Sequence, residues 1–423
     1  MNVLILLLGG NPLPNYVVAR YLLIKDREDD AFLPVPEKII FVTTKLTEKY
    51  YDSIIQVLES DLGMDFCPCD EIRLKYDDFE KQRDPAFIRE AINEVLERIN
   101  NANNIELIHL NYTGGTKPMS VNSFITVEEF SEDNGNEFIL SDLDPDDFKL
   151  KISLVSSQHE VDWFPQEGDL RDFVKLDIEK ILKLHHMTLK KDDKDDLFLN
   201  GKIIDVKAFG RDMAIEYKKG KDKENFIKLF EELMPERDSE KIVEQFPFLS
   251  DLRDACKKDR TDIHKLRDFL NGKWLEYYVL KILKDLKNEG KIIVEPIRKG
   301  VVIEYKGRFQ EIDLIVMKGF QLFLISCTTS QRITDVKNKL FEAFYRAEQL
   351  GGEQAKLIIV STMFNRYQGT TESKNSNIEE LEKELEQFEA RKNCYLIGLD
   401  ELTGENETLS DALQNIIEYG RKR

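Results

Sequence analysis

The stretch that decides the fold runs from Ile105 to Ser120 and reads I-E-L-I-H-L-N-Y-T-G-G-T-K-P-M-S. Its first part, up to Leu110, is apolar enough for a short buried strand, and apolar residues return from Met119 onward at the spacing of a helix. Between them, Gly114 and Gly115 allow a turn where a side chain would obstruct the backbone. The stretch therefore predicts a strand, a glycine turn and the start of a helix.

This turn has the features of a site for an anion. Backbone N–H groups at the N-terminus of a helix point toward such a ligand, and Thr113, Thr116 and Lys117 add two hydroxyl groups and a positive charge. The combination suits a phosphodiester or a nucleotide, although the spacing is not the G-x-x-x-x-G-K of a Walker loop. The alternative that the residues leave open is a tight strand-to-helix turn with a surface lysine.

The N-terminal part of the chain alternates strands and helices, which predicts an α/β domain. Val3–Leu8 and Lys38–Val42 read as strands that are each followed by a polar loop and a helix, as the strand Ile105–Leu110 is. In open α/β sheets ligands bind outside the carboxyl ends of the strands. We therefore expect the three loops to converge on one crevice.

The loops resemble those of the CARF domain (CRISPR-associated Rossmann fold) in CRISPR ancillary nucleases of the Card/Can type. N-Y-T-G-G-T-K-P-M at residues 111–119 is the most specific match, whereas the G-G-N and T-T-K loops match more in position than in letters. The resemblance implies a sensor that binds a cyclic oligoadenylate, usually cyclic tetra-adenylate, across a homodimer interface, which suits a two-fold ligand. It implies ligand contacts from Gly9, Gly10, Asn11, Thr43, Thr44, Lys45, Asn111, Thr113, Gly114, Gly115, Thr116 and Lys117.

Length and pattern divide the 423 residues into three predicted domains. Residues 1–165 form the Rossmann-like CARF sensor, residues 166–262 a small connecting domain, and residues 263–423 a restriction-endonuclease-like α/β domain. In the connecting domain we predict a helix at Leu170–Leu184 and a hairpin with strands at Ile203–Phe209 and Asp212–Tyr217.

Composition excludes several other classes of protein. A net charge of −19 argues against a protein that coats nucleic acid through a generally basic surface, but it allows a nuclease with a local basic groove. The five cysteines are scattered and contain no C-x-x-C pair, so neither a disulfide framework nor a zinc site is indicated. The longest apolar run is too short for a bilayer and the N-terminus lacks the features of a signal peptide, so we expect a cytoplasmic protein.

The histidines do not indicate a metal site, because no partner follows at a suitable spacing. His109 alternates with apolar residues in its strand, which favours a packed and hydrogen-bonded core residue. His185 and His186 are flanked by polar residues, and we predict that both lie on the surface.

The C-terminal domain carries a second constellation. A helix with Glu276, a strand Glu311–Val316 with Asp313 and a neighbouring strand Leu322–Thr329 have the layout of a PD-(D/E)xK nuclease core, and Ile292–Pro296 reads as a further strand. In such a core carboxylates hold Mg²⁺ or Mn²⁺ beside the scissile phosphate, and a lysine orients or activates water. Asp313 lies in an otherwise apolar strand, where an uncompensated carboxylate is costly to bury, and this favours a functional role.

The E-x-K part of this motif is missing, because the corresponding positions read Ser326-Cys327-Thr328. We expect the metal to keep Glu276, Asp313 and the backbone carbonyl of Cys327 as ligands. Ser326 and Thr328 then stand at catalytic positions with neutral oxygens, so one charged ligand and the lysine are lost.

The missing positive charge has to come from another part of the chain. The helix that follows the second strand carries Lys337, Lys339 and Arg346. Of these we predict that Lys337 takes the place of the lysine. The predicted catalytic set is therefore Glu276, Asp313, Ser326, Thr328 and Lys337.

These predictions combine into a CRISPR type III ancillary effector, a metal-dependent nuclease that cyclic oligoadenylate activates and that cleaves DNA, RNA or both. Two alternatives remain open on the residues alone. Ser326 and Thr328 also fit a sensor whose effector domain no longer cuts and acts by binding. The second alternative is a ring nuclease that degrades its own ligand, because a glycine-threonine-lysine cradle can hold a phosphodiester for attack by a ribose hydroxyl.

Overall fold

The computed structural model describes residues 1–25, 33–63, 66–74, 84–155, 161–165, 168–191, 205–220, 268–364, 377–387, 390–404 and 407–420. The chain divides into two compact units, each described by itself below. The first comprises Met1–Thr188 and Gln349–Gln354, and the second comprises Leu189–Glu348 and Ala355–Arg423. Both units are α/β, as predicted from the sequence.

The first unit contains a seven-stranded sheet among its described residues. The strands are β1 (Asn2–Leu7), β2 (Lys38–Thr44), β3 (Cys69–Leu74), β4 (Leu107–Asn111), β5 (Glu137–Leu143), β6 (Leu150–Val155) and β7 (Val161–Pro165). The helices are α1 (Leu13–Leu22), α2 (Glu48–Leu62), α3 (Pro85–Asn103), α4 (Lys117–Asn134), α5 (Leu170–Phe173) and α6 (Ile178–Leu184). Residues 170–184 thus form two short helices rather than the single one predicted.

The strand order is β3-β2-β1-β4-β5-β6-β7, with parallel pairing from β3 to β5 and antiparallel pairing beyond. The chain leaves β1 toward β2 on one side and returns to β4 on the other, so the switch in strand order lies between β1 and β4. Val3 to Leu7 are all buried, as expected for a parallel strand covered on both faces. This order places the loops after β1, β2 and β4 at one edge of the sheet.

The second unit contains a six-stranded sheet in the order β13-β12-β11-β10-β9-β8. Its strands are β8 (Thr188–Lys191), β9 (Ile297–Tyr305), β10 (Arg308–Lys318), β11 (Gln321–Thr328), β12 (Lys356–Ser361) and β13 (Cys394–Ile397). Its helices are α7 (Val206–Lys218), α8 (Trp274–Asn288), α9 (Ile333–Gly351), α10 (Asn377–Gln387), α11 (Leu399–Thr403) and α12 (Leu409–Tyr419). One core joins apolar residues of α7, α8, α11 and α12 to those of β10, β11, β12 and β13.

Two predictions in this unit, one of a hairpin and one of a single strand, are wrong. Residues 203 and 204 of the predicted hairpin lie outside the described residues, and its residues 206–217 belong instead to helix α7. Asp205 caps the N-terminus of this helix by accepting hydrogen bonds from the backbone of Lys207 (3.0 Å) and Ala208 (3.2 Å). Residues 292–296 form irregular backbone rather than a strand, because Pro296 has no N–H to donate to a ladder. This segment still exchanges two hydrogen bonds with Met317.

The predicted connecting domain remains a prediction, because most of residues 166–262 lie outside the described residues. Of its described parts, residues 168–188 belong to the first unit, and residues 189–191 and 205–220 belong to the second. None of the helices in the described ranges is long and apolar enough to cross a membrane.

Two of the three histidine predictions are confirmed and one is wrong. His109 is buried and hydrogen-bonded to Ser141 at 2.6 Å, as predicted for a core residue. His186 is exposed, as predicted, but His185 is 4% exposed, so its prediction as a surface residue is wrong. The Nε2 atom of His185 lies 3.0 Å from the backbone oxygen of Leu350, within hydrogen-bond distance, in the core of the first unit.

Burial lowers the pKa of His185 to about 4, against the hydrogen bond to Leu350 and with small contributions from the charges of His186 and Lys49. As the pH falls, the His185 imidazole is therefore protonated in the unfolded chain before it is protonated in the folded protein. The contribution of the neutral imidazole to the stability of the folded protein is complete above pH 6.5 and is lost as the pH falls toward 4. A shift of this size corresponds to about 3 kcal/mol in the free energy of unfolding. We expect His185→Gln to remove that part of the acid sensitivity, measured by urea unfolding between pH 7 and 4; equal acid sensitivity in both proteins would contradict it.

Candidate functional site

The glycine turn after β4 packs directly on the end of β1. A Cβ atom added to Gly114 would overlap the carbonyl oxygen of Leu7 and lie 2.8 Å from Oδ1 of Asn15, and one added to Gly9 would lie 3.0 Å from the amide nitrogen of Gly115. Real Cβ atoms do not approach other atoms this closely, so glycine is required at Gly114. The loops after β1 and β4 therefore form one surface, as the sequence predicted.

Several predicted ligand residues are engaged in building this surface. Thr113 Oγ1 accepts a hydrogen bond from the backbone of Leu143 at 2.7 Å, and Asn111 Nδ2 donates to the backbone oxygen of Ser141 at 3.2 Å. Thr43 donates to Oε1 of Glu71 at 2.7 Å. These buried or half-buried side chains set the positions of the strand ends, and their contacts with a ligand remain predictions.

Other predicted ligand residues face solvent. Gly10, Lys45, Thr116 and Lys117 are exposed at the sheet edge where the three loops end. Thr116 also caps α4, because its side chain accepts a hydrogen bond from the backbone of Met119 at 3.4 Å. The helix N-terminus and two lysines give this edge the character of an anion site.

Sequence reasoning missed Asn15, which lies on α1 beneath the glycine turn. It is completely buried, and its Nδ2 donates to the carbonyl oxygen of Leu7 at 2.9 Å. Its Oδ1 has no hydrogen-bond partner in the described part of the chain. A polar residue on the apolar face of the predicted helix, four positions after Asn11, was the available signal.

The second site lies where β10 and β11 run side by side in the second unit. The antiparallel register that pairs Leu314 with Ile325 places Asp313 beside Ser326. Asp313 Oδ2 accepts hydrogen bonds from the backbone nitrogen of Cys327 at 2.7 Å and from the hydroxyl of Ser326 at 3.2 Å. The strand pairing predicted from the sequence thus brings these three residues together.

Glu276 joins this site from the first turn of α8. Burial and the nearby charge of Asp313 raise the pKa of Glu276 to about 7, against the opposing effect of Lys299. Nζ of Lys299 lies 3.6 Å from Oε2 of Glu276 and 4.2 Å from the ring centroid of Tyr277. Lys299 was also missed, because nothing in the sequence connects β9 with α8.

The lysine that reaches Asp313 is Lys339. Its Nζ lies 2.8 Å from Oδ2 of Asp313 and donates to the backbone oxygen of Cys327 at 2.5 Å. Burial lowers the pKa of Lys339, but the charge and hydrogen bond of Asp313 outweigh it, and the pKa is raised. Lys337, the predicted substitute, instead donates to Oε1 of Glu384 at 2.6 Å, so the structure does not bring it to Asp313.

Two cavities of the second unit meet at Lys339. One has a volume of 880 Å³ and is lined by Glu276, Thr328 and Lys339, together with the basic side chains of Lys273 and Arg332. The other has a volume of 470 Å³ and lies on the Asp313 side. Glu276, Asp313, Ser326 and Thr328, but not Lys337, therefore open onto solvent-accessible space, which both basic and acidic side chains line.

The oxygen donors suit a hard divalent cation. Two carboxylates, those of Glu276 and Asp313, lie close enough to repel each other, and the backbone carbonyl of Cys327 is beside them. Mg²⁺ and Mn²⁺ accept such oxygen ligands and keep several waters. Within the described ranges, however, no three His, Cys, Asp or Glu residues gather as a metal-binding group, so water and substrate would have to supply the remaining ligands.

Comparison with known proteins gives structural matches alone. No protein-family profile matches the chain, and no curated protein matches it by sequence. The structure resembles protein VC1899 from Vibrio cholerae with a TM-score of 0.67 and 17% identity, over 100% of this chain and 99% of that one. It also resembles Can2 from Sulfobacillus thermosulfidooxidans, solved in complex with cyclic tetra-adenylate, with a TM-score of 0.57 and 15% identity over 95% of each chain. At these identities the likeness establishes a shared fold.

Proposed function

We propose that this protein is a CRISPR type III ancillary effector, a nuclease that is activated when its first unit binds a cyclic oligoadenylate. The observation that carries the nuclease part is the contact of the Lys339 ammonium group with both Asp313 and the backbone oxygen of Cys327. This contact restores a lysine to the carboxylate pair although the E-x-K letters are absent. Mg²⁺ or Mn²⁺ is the proposed cofactor, and DNA or RNA the proposed substrate.

For the sensor, the support is the surface formed by the loops after β1, β2 and β4. Exposed lysines, a helix N-terminus and glycine backbone at one sheet edge suit a ligand with several phosphates. Can2, which shares the fold, was solved with cyclic tetra-adenylate, and we propose the same ligand here. A homodimer would place two such surfaces around a two-fold ligand.

In the proposed nuclease, a bound divalent cation supplies charge stabilisation at the scissile phosphate and a more acidic bound water. Glu276 and Asp313 would hold that cation, with the carbonyl oxygen of Cys327. Lys339 would hold a proton at Nζ and orient the attacking water, the part that the motif lysine plays. Ser326 keeps the Asp313 carboxylate in place through its hydroxyl hydrogen bond.

One observation favours a second candidate, a sensor whose effector unit binds without cutting. Each carboxylate of the site already faces a lysine, Glu276 facing Lys299 and Asp313 facing Lys339. Even when both carboxylates are ionised, the four side chains together carry no net charge, which weakens the attraction for a divalent cation. In that case the 880 Å³ cavity, whose lining carries both basic and acidic side chains, would serve for binding alone.

Cleavage assays separate the two candidates. Purified protein is incubated with plasmid DNA, single-stranded DNA and single-stranded RNA, with Mn²⁺ or Mg²⁺, and with or without cyclic tetra-adenylate. We expect cleavage that needs the cation and the messenger and that disappears in Asp313→Asn. Messenger binding without cleavage under any condition would overturn the nuclease and support the binding module, and absence of messenger binding would overturn the sensor.

A further inference from the structure

Helix α9 carries Lys339 near its start and ends in the other unit. Residues Ile333 to Glu348 belong to the second unit, whereas the segment Gln349–Gln354 belongs to the first. Lys339 and Gly352 are thus joined by a single helix and its final turn.

The end of this helix is fixed by two contacts within the first unit. The backbone oxygen of Leu350 lies 3.0 Å from Nε2 of His185. Gly352 follows with φ +65°, and a Cβ added there would overlap Nδ2 of Asn11. The Asn11 side chain therefore rests directly on the backbone of Gly352, with no room between them.

Asn11 belongs to the loop that we propose as part of the messenger site. Its Oδ1 accepts a hydrogen bond from the backbone of Leu13 at 2.9 Å, whereas its Nδ2 is buried and finds no hydrogen-bond partner in the described ranges. A buried donor without a hydrogen-bond partner is destabilising. A phosphate oxygen of the messenger would satisfy Nδ2, but only if the side chain turns away from Gly352.

We propose that the contact between Asn11 and Gly352 couples messenger binding to the position of Lys339. The proposal rests on the function proposed above and names the route of its regulation. Turning Asn11 toward the messenger removes the group on which Gly352 rests and lets the end of α9 shift. The gain of a hydrogen bond in the shifted arrangement gives the messenger the differential affinity that such coupling requires.

The consequence at the other end of the helix follows from the contacts of Lys339. In the structure its ammonium group occupies Asp313 Oδ2 and the carbonyl oxygen of Cys327, two of the three oxygen donors proposed for the cation. The lysine and the cation therefore compete for the same oxygens. A shift of α9 that withdraws Lys339 opens these donors and leaves the ammonium group free to orient water.

The test uses acetylation of Lys339 by N-hydroxysuccinimidyl acetate, quantified by mass spectrometry, with Lys281 as an internal reference because it pairs with Asp285 in its own helix. In the unaltered protein, cyclic tetra-adenylate should speed the acetylation of Lys339 about fivefold or more, the lower end of typical coupling between sites. In Gly352→Ala the new Cβ displaces Asn11 permanently, so the rate should no longer respond to the messenger.

Gly290→Ala is the matched control. Gly290 has φ +69°, close to that of Gly352, but no heavy atom lies within 4 Å of the position of its Cβ. It therefore imposes the same backbone strain without touching Asn11, and it should keep the full response. Equal responses in the two variants, with messenger bound in both, would overturn the coupling.

The outcome also separates this inference from the proposed function. Acetylation that responds to the messenger in a protein that does not cleave would support the coupling and reject the nuclease. Failure of the unaltered protein to bind cyclic tetra-adenylate, measured by isothermal titration calorimetry, would overturn the sensor and the coupling together.

Discussion

Replacing Lys339 with alanine should lower the rate of messenger-stimulated cleavage by about 10²- to 10⁴-fold, the usual contribution of a positioned side chain in proton transfer. The expected loss is in the maximal rate. The Mn²⁺ concentration needed for half-maximal cleavage should fall, because the variant removes the ammonium group that occupies oxygen atoms of Asp313 and Cys327. Initial cleavage rates over a range of Mn²⁺ concentrations measure both quantities.

Lys337→Ala is the control for this prediction. Lys337 lies two residues away on the same helix and pairs with Glu384, so its removal changes the same net charge without affecting the carboxylate pair. We expect its cleavage rate to stay within about threefold of the unaltered protein, as for a surface pair worth at most 1 kcal/mol. The assignment of Lys339 fails if the two variants lose activity equally, or if Lys337→Ala loses more.

The sequence does not decide which of these two lysines reaches the carboxylate pair. Val336, Leu340 and Ala343 form the buried stripe of α9. Residues in a helix are rotated by about 100° from one to the next, so Lys337 and Lys339 flank that stripe on opposite sides. The sequence predicts the helix and its buried face, but which flank faces β10 depends on the placement of the helix against the sheet.

A glycine caused the largest error in the predicted fold. The sequence predicts a hairpin turn at Gly210 and Arg211, yet Gly210 lies inside helix α7. A Cβ at this position would overlap the ring of Tyr278, so the glycine allows α7 and α8 to approach closely. A glycine in a hairpin turn and a glycine at a close contact between helices look the same in the sequence. Only the packing of two helices that are distant in sequence distinguishes them.

Three strands of the first unit and the loops that follow them were predictable because their signals are local. Continuous apolar runs give β1, β2 and β4, and the glycine, threonine and lysine residues that follow are those that turns and helix starts require. The roles within the loops were less accessible. Thr43 and Asn111 look the same in sequence as Thr116, yet the first two are buried in hydrogen bonds to neighbouring strands and the third is exposed.

Gly114→Ala should weaken the binding of cyclic tetra-adenylate by about 10- to 100-fold, because overpacking typically costs about 1–3 kcal/mol and 1.4 kcal/mol is tenfold in affinity. The new Cβ would overlap the carbonyl oxygen of Leu7 in β1 and approach Asn15 Oδ1 to 2.8 Å. The backbone of a central strand cannot move aside, so the turn itself has to shift. Isothermal titration calorimetry gives the affinity, and thermal unfolding shows whether the variant remains folded.

Gly135→Ala separates a shifted turn from a general loss of stability. Gly135 ends α4, the helix that the glycine turn begins, and it has φ +68° with no heavy atom within 4 Å of the position of its Cβ. Alanine there costs about 1 kcal/mol of backbone strain but leaves the contact between Gly114 and Leu7 unchanged, so messenger affinity should be retained at reduced thermal stability. Equal affinities for Gly114→Ala, Gly135→Ala and the unaltered protein would mean that the messenger does not bind at the glycine turn, since a ligand held by its backbone must respond when that backbone moves.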